Sequence, residues 1–168
     1  MRLVAFSDTH GRHEKLEVPD GDILLFAGDL TSGGGIEDVE TFDAFLGSLP
    51  HDRKFVIAGN CDYAFEQNRD EAADVLEHAT YLEHESEEVD GLKIFGSPWQ
   101  PKFLDMAFNL PRGEQLAAKW ADIPDDTDIL LTHTPPARVL DKTSRGSRVG
   151  CEDLLNRVKE LDLACHVF

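Results

Sequence analysis

The sequence predicts an α/β protein, and two observations carry that prediction. Short apolar runs of strand length alternate with segments of helical periodicity. Four of the runs are followed at once by Asp, His or Asn. The runs are Leu3–Phe6, Ile23–Ala27, Phe55–Ala58, Leu92–Phe95, Ile129–Leu131 and Leu163–Phe168, each with a turn signal nearby. Helical patterns fill the intervals around Ile36–Leu49, Asp70–Ala79, Gly113–Ala121 and Glu152–Leu161. In the last of these, Leu154, Leu155, Val158 and Leu161 recur at helical spacing and line one face. Strands joined through helices favour a largely parallel interior sheet. Tyr81–Leu82 and Leu92–Phe95 flank the acidic stretch "EHESEEVDG", which predicts a hairpin with the acids in a solvated turn. No internal repeat or linker is visible, so residues 1–168 are expected to form one domain.

Composition narrows the function. Hydrophobic residues make up 41% of the 168 positions, enough for a core without staples. No run approaches the roughly 18–20 apolar residues that span a bilayer, and the N-terminus lacks the apolar region of a secretory signal. The expectation is a soluble, cytoplasmic protein with no membrane partner. Lys and Arg total 16 against 33 Asp and Glu, a net charge of −17. Duplex nucleic acid is therefore not an expected partner, because phosphate contacts need clustered cations. An anionic substrate would need local positive charge, which bound metal can supply. Cys61, Cys151 and Cys165 are scattered and form no C-x-x-C, so all three are read as reduced thiols. Oligomeric state is not legible.

The chemistry sits at strand ends. After Leu3–Phe6 comes Ser7-Asp8-Thr9-His10, and after Ile23–Ala27 comes Gly28-Asp29. After Phe55–Ala58 comes Gly59-Asn60-Cys61-Asp62, and after Ile129–Leu131 comes Thr132-His133. The carboxyl ends of strands form the binding crevice of open α/β sheets. Asp8, His10, Asp29, Asn60 and His133 should therefore converge. Carboxylate, imidazole and amide oxygen suit Mn, Fe, Zn, Ni or Mg rather than a soft thiolate site. Asp29 has two oxygens with which to bridge two ions, and two metals about 3.5–4 Å apart clamp an in-line displacement at phosphorus. A lone Asp after a strand is most often a cap or turn former; the ordered set is what points to metal. His13, His51, His78 and His84 are read as satisfied polar residues.

Lesser features are ambiguous by themselves. The glycine run in "TSGGGIED" lacks the Lys and Ser or Thr of a phosphate-binding P-loop. Arg145 and Arg148 precede a helix expected near Gly150; they are candidate substrate-binding residues or solvated loop arginines. Trp99 either stacks on a base or packs.

The blocks D-x-H, G-D, G-N-x-D and T-H resemble the calcineurin-like metallophosphoesterase superfamily. "FSDTHGRH", "VPDGDILLFAGDLT", "FLGSLPH", "GSPWQP", "AFNLPRGE", "DILLTHTPP" and "RVGCEDLL" resemble its metallophosphoesterase-domain (MPPED-type) branch across nearly the whole chain. The resemblance implies a two-sheet β-sandwich flanked by helices, in αββα order, with a dinuclear site at one end. It implies hydrolysis of small phosphoesters by a metal-bridging hydroxide with two divalent ions, Mn foremost. By the same resemblance Asp8 and His10 bind the first metal, Asp29 bridges, and Asn60 and His133 bind the second. Asp62 matches the acid that orients the third-block histidine.

Two departures follow. Cys61 stands where many members have His, beside the leaving group; G-N-C-D also occurs in YfcE-like phosphodiesterases, which implies a phosphodiesterase. The family's final G-H-x-H block is absent, so the chain is expected to be a C-terminally truncated domain lacking its last strands. His166 lies on the preceding strand and is not a substitute ligand. The alternative expectation is a catalytically weak or inactive binding or scaffold module of the same fold. A thiol enzyme pairing Cys61 with His133 leaves Asp8, His10 and Asp29 without a role.

Overall fold

In the computed structural model, which describes residues 1–168, the chain forms two four-stranded sheets and one two-stranded ladder. The first sheet is wholly parallel, in the order β1 (Leu3–Phe6), β2 (Ile23–Ala27), β3 (Arg53–Ile57), β4 (Thr80–Tyr81). The second runs β10 (Cys165–Val167), β9 (Ile129–Thr132), β6 (Leu92–Ser97), β5 (Glu85–Val89). Only the β5–β6 pair is antiparallel. β7 (Gln100–Pro101) and β8 (Asn109–Leu110) pair in parallel beside them. The helices are α1 (Ile36–Ser48), α2 (Tyr63–Gln67), α3 (Arg69–Val75), α4 (Glu114–Ala121) and α5 (Glu152–Val158). None is long and apolar enough to cross a membrane.

The period of two explains the layers. Every residue of β2 is buried because the strand is covered on both faces. Ile23, Leu25 and Ala27 point between the sheets with Phe55 and Ile57, against Leu82, Ile94, Ile129 and Leu131. Leu24, Phe26 and Val56 point outward under Val39, Phe42 and Leu46 of α1. On the far side, Phe95 and Leu130 pack under Leu116 and Trp120 of α4 and Leu154 of α5. The order is helix, sheet, sheet, helix. Leu25 and Ile57, fully buried between the sheets, each contribute about 2 kcal/mol of hydrophobic stabilisation.

Two expectations are corrected. Tyr81–Leu82 is not the partner of Leu92–Phe95. Tyr81 pairs in parallel with Val56, and Leu82 enters the inter-sheet core. The hairpin partner is the acidic stretch itself: β5 pairs with β6 from Glu85↔Gly96 to Val89↔Leu92. Glu85, Ser86, Glu87 and Glu88 are exposed, so this edge strand shows no apolar alternation, and its charges discourage pairing with other chains. The turn signal was Asp90-Gly91, both at positive φ (50° and 79°), the dipeptide that suits a two-residue hairpin turn. The helix expected over Asp70–Ala79 is α3, which stops at Val75; the short α2 before it was not expected, and the two meet at Asn68, whose φ of −150° interrupts the spiral.

Candidate metal centre

The loops after β1, β2 and β3 lie on one another. Asp8 N donates to Gly28 O (2.9 Å), His10 N to Asp29 O (3.0 Å) and Gly11 N to Leu30 O (2.9 Å). Asp8, His10 and Asp29 all have left-handed backbones, with φ of 56°, 47° and 59°. That conformation costs an L-residue roughly 1–2 kcal/mol, and it persists where the surroundings over-determine it. Asp62 is the staple. It is fully buried and accepts from Asp29 N (2.8 Å), Leu30 N (3.3 Å), Thr31 N (2.9 Å), Gly59 N (2.7 Å) and Thr31 Oγ1 (3.1 Å). Burial pushes its carboxyl up to about 6 with Asp29 adding to the rise, against the lowering pull of the Thr31, Gly59 and Leu30 N–H groups. Gly28 and Gly59 allow the close approach. A Cβ on Gly28 would sit 2.7 Å from His133 Nδ1, and one on Gly59 would sit 2.3 Å from Asp29 Oδ1.

The side chains converge from four strand ends. His133 Nδ1 donates to Ala27 O (2.8 Å), so the lone pair of the neutral ring is on Nε2. That lone pair faces Asn60 Oδ1 at 3.1 Å and Asp29 Oδ1 at 3.5 Å. His10 repeats the arrangement: Nδ1 donates to Thr31 O (3.2 Å), and Nε2 faces Asp29 Oδ2 (3.7 Å) and Asp8 Oδ1 (3.9 Å). Two triads of potential ligand atoms lie within 4.8 Å of one another: His10, Asp29 and Cys61, and Asp8, Asp29 and His133. Asp29 belongs to both.

This donor set fits divalent metal. Asn60 Oδ1 and His133 Nε2 are both acceptors at 3.1 Å with no proton between them, an arrangement that a shared cation makes favourable. Ligand atoms around one ion at 2.0–2.2 Å stand roughly 3.0–3.5 Å apart. Asp29 and Asp62 are both buried with no Lys or Arg in ion pair with either, and uncompensated buried charge is strongly destabilising; Asp8, beside them, is exposed. Asp8, His10, Asp29, Asn60 and His133 would hold the metal.

Cys61 lies among these groups but not against His133. Its N–H donates to Asp29 Oδ1 (2.8 Å) and its Sγ accepts from Asn60 Nδ2 (3.3 Å). Burial, then Asp29, Asp62 and Asp8, push its thiol up to about 12. A neutral thiol without an imidazole partner is a poor nucleophile. His166 is on β10, belongs to neither triad, and bonds to Thr132 Oγ1 (2.9 Å). Burial lowers its pKa to about 4.

A cleft of about 710 Å³ opens over Asp8, Asn60 and His133. Arg145 and Arg148 both line it, but they differ. Arg148 is paired with buried Asp141 at 2.5 Å, whereas Arg145 is exposed and has no ion pair. The helix expected near Gly150 starts at Glu152, with the buried Cys151 Sγ capping Leu154 N. Trp99 packs: it meets Phe108 edge-on at 5.7 Å, with Lys119 Nζ 4.6 Å from the ring centroid.

The other histidines divide. His78 pairs with Asp43 (2.7 Å), and His84 bonds both Ser97 Oγ (3.1 Å) and Asp122 (3.2 Å). Ser97 is fully buried, so this Ser-His-Asp order offers no accessible nucleophile. His13 and His51 correct the expectation of satisfied polar residues: both are buried with neither ring nitrogen bonded. His13 is held by aromatic packing, against Phe42 and Phe45.

Sequence reasoning missed Thr31, Lys102 and Arg112. Thr31 Oγ1 ties Cys61 O (2.9 Å) to Asp62. Its signal was its place two residues after Asp29, on the same strand-end loop. Arg112 falls inside the stretch "AFNLPRGE" and Lys102 follows "GSPWQP", but neither stands out in sequence as a site residue; both line the cleft.

The fold and the ligand set define a class: the chain belongs to the calcineurin-like phosphoesterase family, whose pattern matches residues 1–168. Among its relatives is human metallophosphoesterase domain-containing protein 1. It is 40% identical over 192 residues, which cover 99% of this chain and 59% of the relative. A UPF0046 protein of Caenorhabditis elegans is 37% identical over 182 residues, covering 100% of this chain and 62% of that protein. The chain thus spans less than two thirds of the length of these relatives. A solved crystal structure shares the fold at a TM-score of 0.70 and 16% identity, over 98% of this chain and 81% of the other.

Proposed function

We propose that residues 1–168 form one catalytic domain that hydrolyses small phosphoesters, phosphodiesters in particular, with two divalent metal ions. Mn is the foremost candidate, and Fe, Zn, Ni and Mg suit the same ligands. The observation that carries the reading is the shared position of Asp29. One carboxylate faces His10 with one oxygen and His133 with the other, and His133 in turn faces the Asn60 amide oxygen. When bound, the ions supply Lewis acidity to the phosphoryl group and to the attacking water. Asp29 holds the two positions in register. His10 and His133, each locked by an Nδ1 bond to a carbonyl, keep Nε2 turned inward. Asp62 acts through the backbone it staples, as a positioning residue rather than a proton carrier. Cys61, beside the site as a neutral thiol, is a weak proton donor to a leaving alkoxide. That favours diesters with good leaving groups. Of Arg145 and Arg148, Arg145 is the one free of an ion pair and available to substrate. The net charge of −17 favours a small-molecule substrate over duplex nucleic acid.

The test is metal-free protein reloaded with Mn²⁺, assayed on bis(4-nitrophenyl) phosphate with metal content measured in parallel. Asp29→Ala and Asn60→Ala should lose more of the Mn²⁺-stimulated rate than the roughly 10–100-fold typical of changes to residues behind the ligands. Unchanged rates in both variants would overturn the reading. Full metal loading without hydrolysis by the wild-type chain would favour a binding module of the same fold.

A further inference from the structure

We infer that the substrate carries a second phosphate-class anionic group, bound by Lys102, Arg112 and Arg145 beside the phosphoester that is cleaved. This rests on the phosphoesterase reading for the cleaved group alone. The chain has 33 acids and 16 Lys and Arg, so an average stretch of surface is negative. The cleft reverses that balance. Four cations line it, and its single acid is Asp8, a candidate metal ligand. Arg148 is neutralised by Asp141. Lys102, Arg112 and Arg145 come from three separate segments and form no ion pair.

Their placement is built. The loop of Lys102 is tied by Asn109, whose side chain accepts from Phe103 N (3.2 Å) and donates to the Phe103 (3.2 Å) and Leu104 (3.1 Å) carbonyls. Arg145 sits in a tight turn closed by Thr143 N to Ser147 O and Gly146 N to Thr143 O, both 2.9 Å. Arg112 clamps the base of that turn, donating to Gly150 O (2.8 Å) and Val149 O (2.9 Å). Both acceptors are neutral and it is in no ion pair, although Asp141, Glu152 and Asp153 line a neighbouring cleft with it. Gathering like charges is unfavourable unless an anion joins them. A diester monoanion leaves these cations unused once the metals hold its phosphoryl group. The volume of about 710 Å³ accommodates a ligand of nucleotide size.

The experiment is calorimetric titration of Mn²⁺-loaded protein with thymidine 3′,5′-bisphosphate and with thymidine 5′-monophosphate. The bisphosphate should bind about tenfold or more tightly, the scale of one charge-assisted contact set. That advantage should fall towards one in the Lys102→Gln/Arg145→Gln double variant and shrink with added KCl. Both positions are exposed, and an unchanged melting temperature and metal content in the variant show an intact fold. Equal affinity for the two ligands, or an advantage that survives in the double variant, would overturn the inference. Because binding is read without turnover, a preference found in a chain that does not hydrolyse would sink the hydrolase reading and keep this one.

Discussion

The ligand floor at the ends of β1, β2, β3 and β9 and the cationic wall above it are held by different means. On the floor, Asp62 alone gathers five donors at a fully buried position, and three candidate ligand residues keep left-handed backbones. On the wall, Lys102, Arg112 and Arg145 are exposed and their loops are fixed by bonds at their bases. The floor must keep ligand atoms at fixed separations, since an ion tolerates only small errors in them. The wall has only to supply charge over a few ångströms. Fold stability and site geometry should therefore be inseparable on the floor and separable on the wall.

Asp62→Ala should break the floor most severely. Five donors would lose their acceptor at a site with no exposure, a loss of about 3–5 kcal/mol by analogy with removing one partner of a buried charged network. Metal uptake should fall with it, because Asp29 N and Gly59 N are two of the five donors. Arg145→Ala should change stability by less than about 0.5 kcal/mol, as exposed substitutions do. Urea unfolding with metal analysis on both variants reads the contrast. Equal stability losses would abolish the distinction between floor and wall.

Gly59→Ala comes next, and it separates geometry from stability. The new Cβ would stand 2.3 Å from Asp29 Oδ1, 2.4 Å from Asp29 N and 2.7 Å from His133 Cε1. The strand end or the shared carboxylate must move, at a cost of about 1–3 kcal/mol for overpacking. Mn²⁺ affinity should drop by at least about tenfold, comparable to other disturbances behind metal ligands. Gly91→Ala is the matched control. Its φ of +79° makes alanine unfavourable by about 1 kcal/mol, but nothing lies within 4 Å of the new Cβ. Mn²⁺ affinity there should not change, and isothermal titration distinguishes the two.

The same contrast explains what was legible in the sequence. The floor was readable because each ligand follows an apolar strand run, and parallel strands bring such ends together whatever the loops do. The two roles that Gly28 and Gly59 play were not readable, since close approach is a property of neighbours such as His133, which lies more than seventy residues away in sequence. Asp62 resembles an acid whose usual partner, a histidine at position 61, is replaced here by Cys61; in the structure it holds backbone. The wall was legible only at Arg145; Lys102 and Arg112 lie in or beside stretches that resemble the family, but their role shows only through the cleft they line. In the fold, the acidic β5 was missed because a charged edge strand lacks the alternation that marks buried strands.

The smallest expected effect concerns protons and again falls on the floor side. His13 follows the His10 loop and packs on Phe42 (5.3 Å) and Phe45 (5.1 Å) with both nitrogens unbonded. Burial holds its pKa below the ordinary value, with Glu14, the Thr41 backbone and Asp38 pulling the other way. The unfolded chain therefore binds the proton first, and stability falls as pH drops through about 6.5. His166, lowered to about 4 by burial, acts in the same direction. Asp62, raised to about 6, acts oppositely in metal-free protein: the native state takes up its proton first, so stability there rises as pH falls from about 6 towards 4. The decisive quantity is thus the difference between wild type and His13→Phe, measured by urea unfolding of Mn²⁺-loaded protein from pH 7.5 to 5. The variant should lose less stability than wild type over that interval. Parallel curves would mean that His13 is protonated alike in both states, and that its burial among the rings does not set its charge.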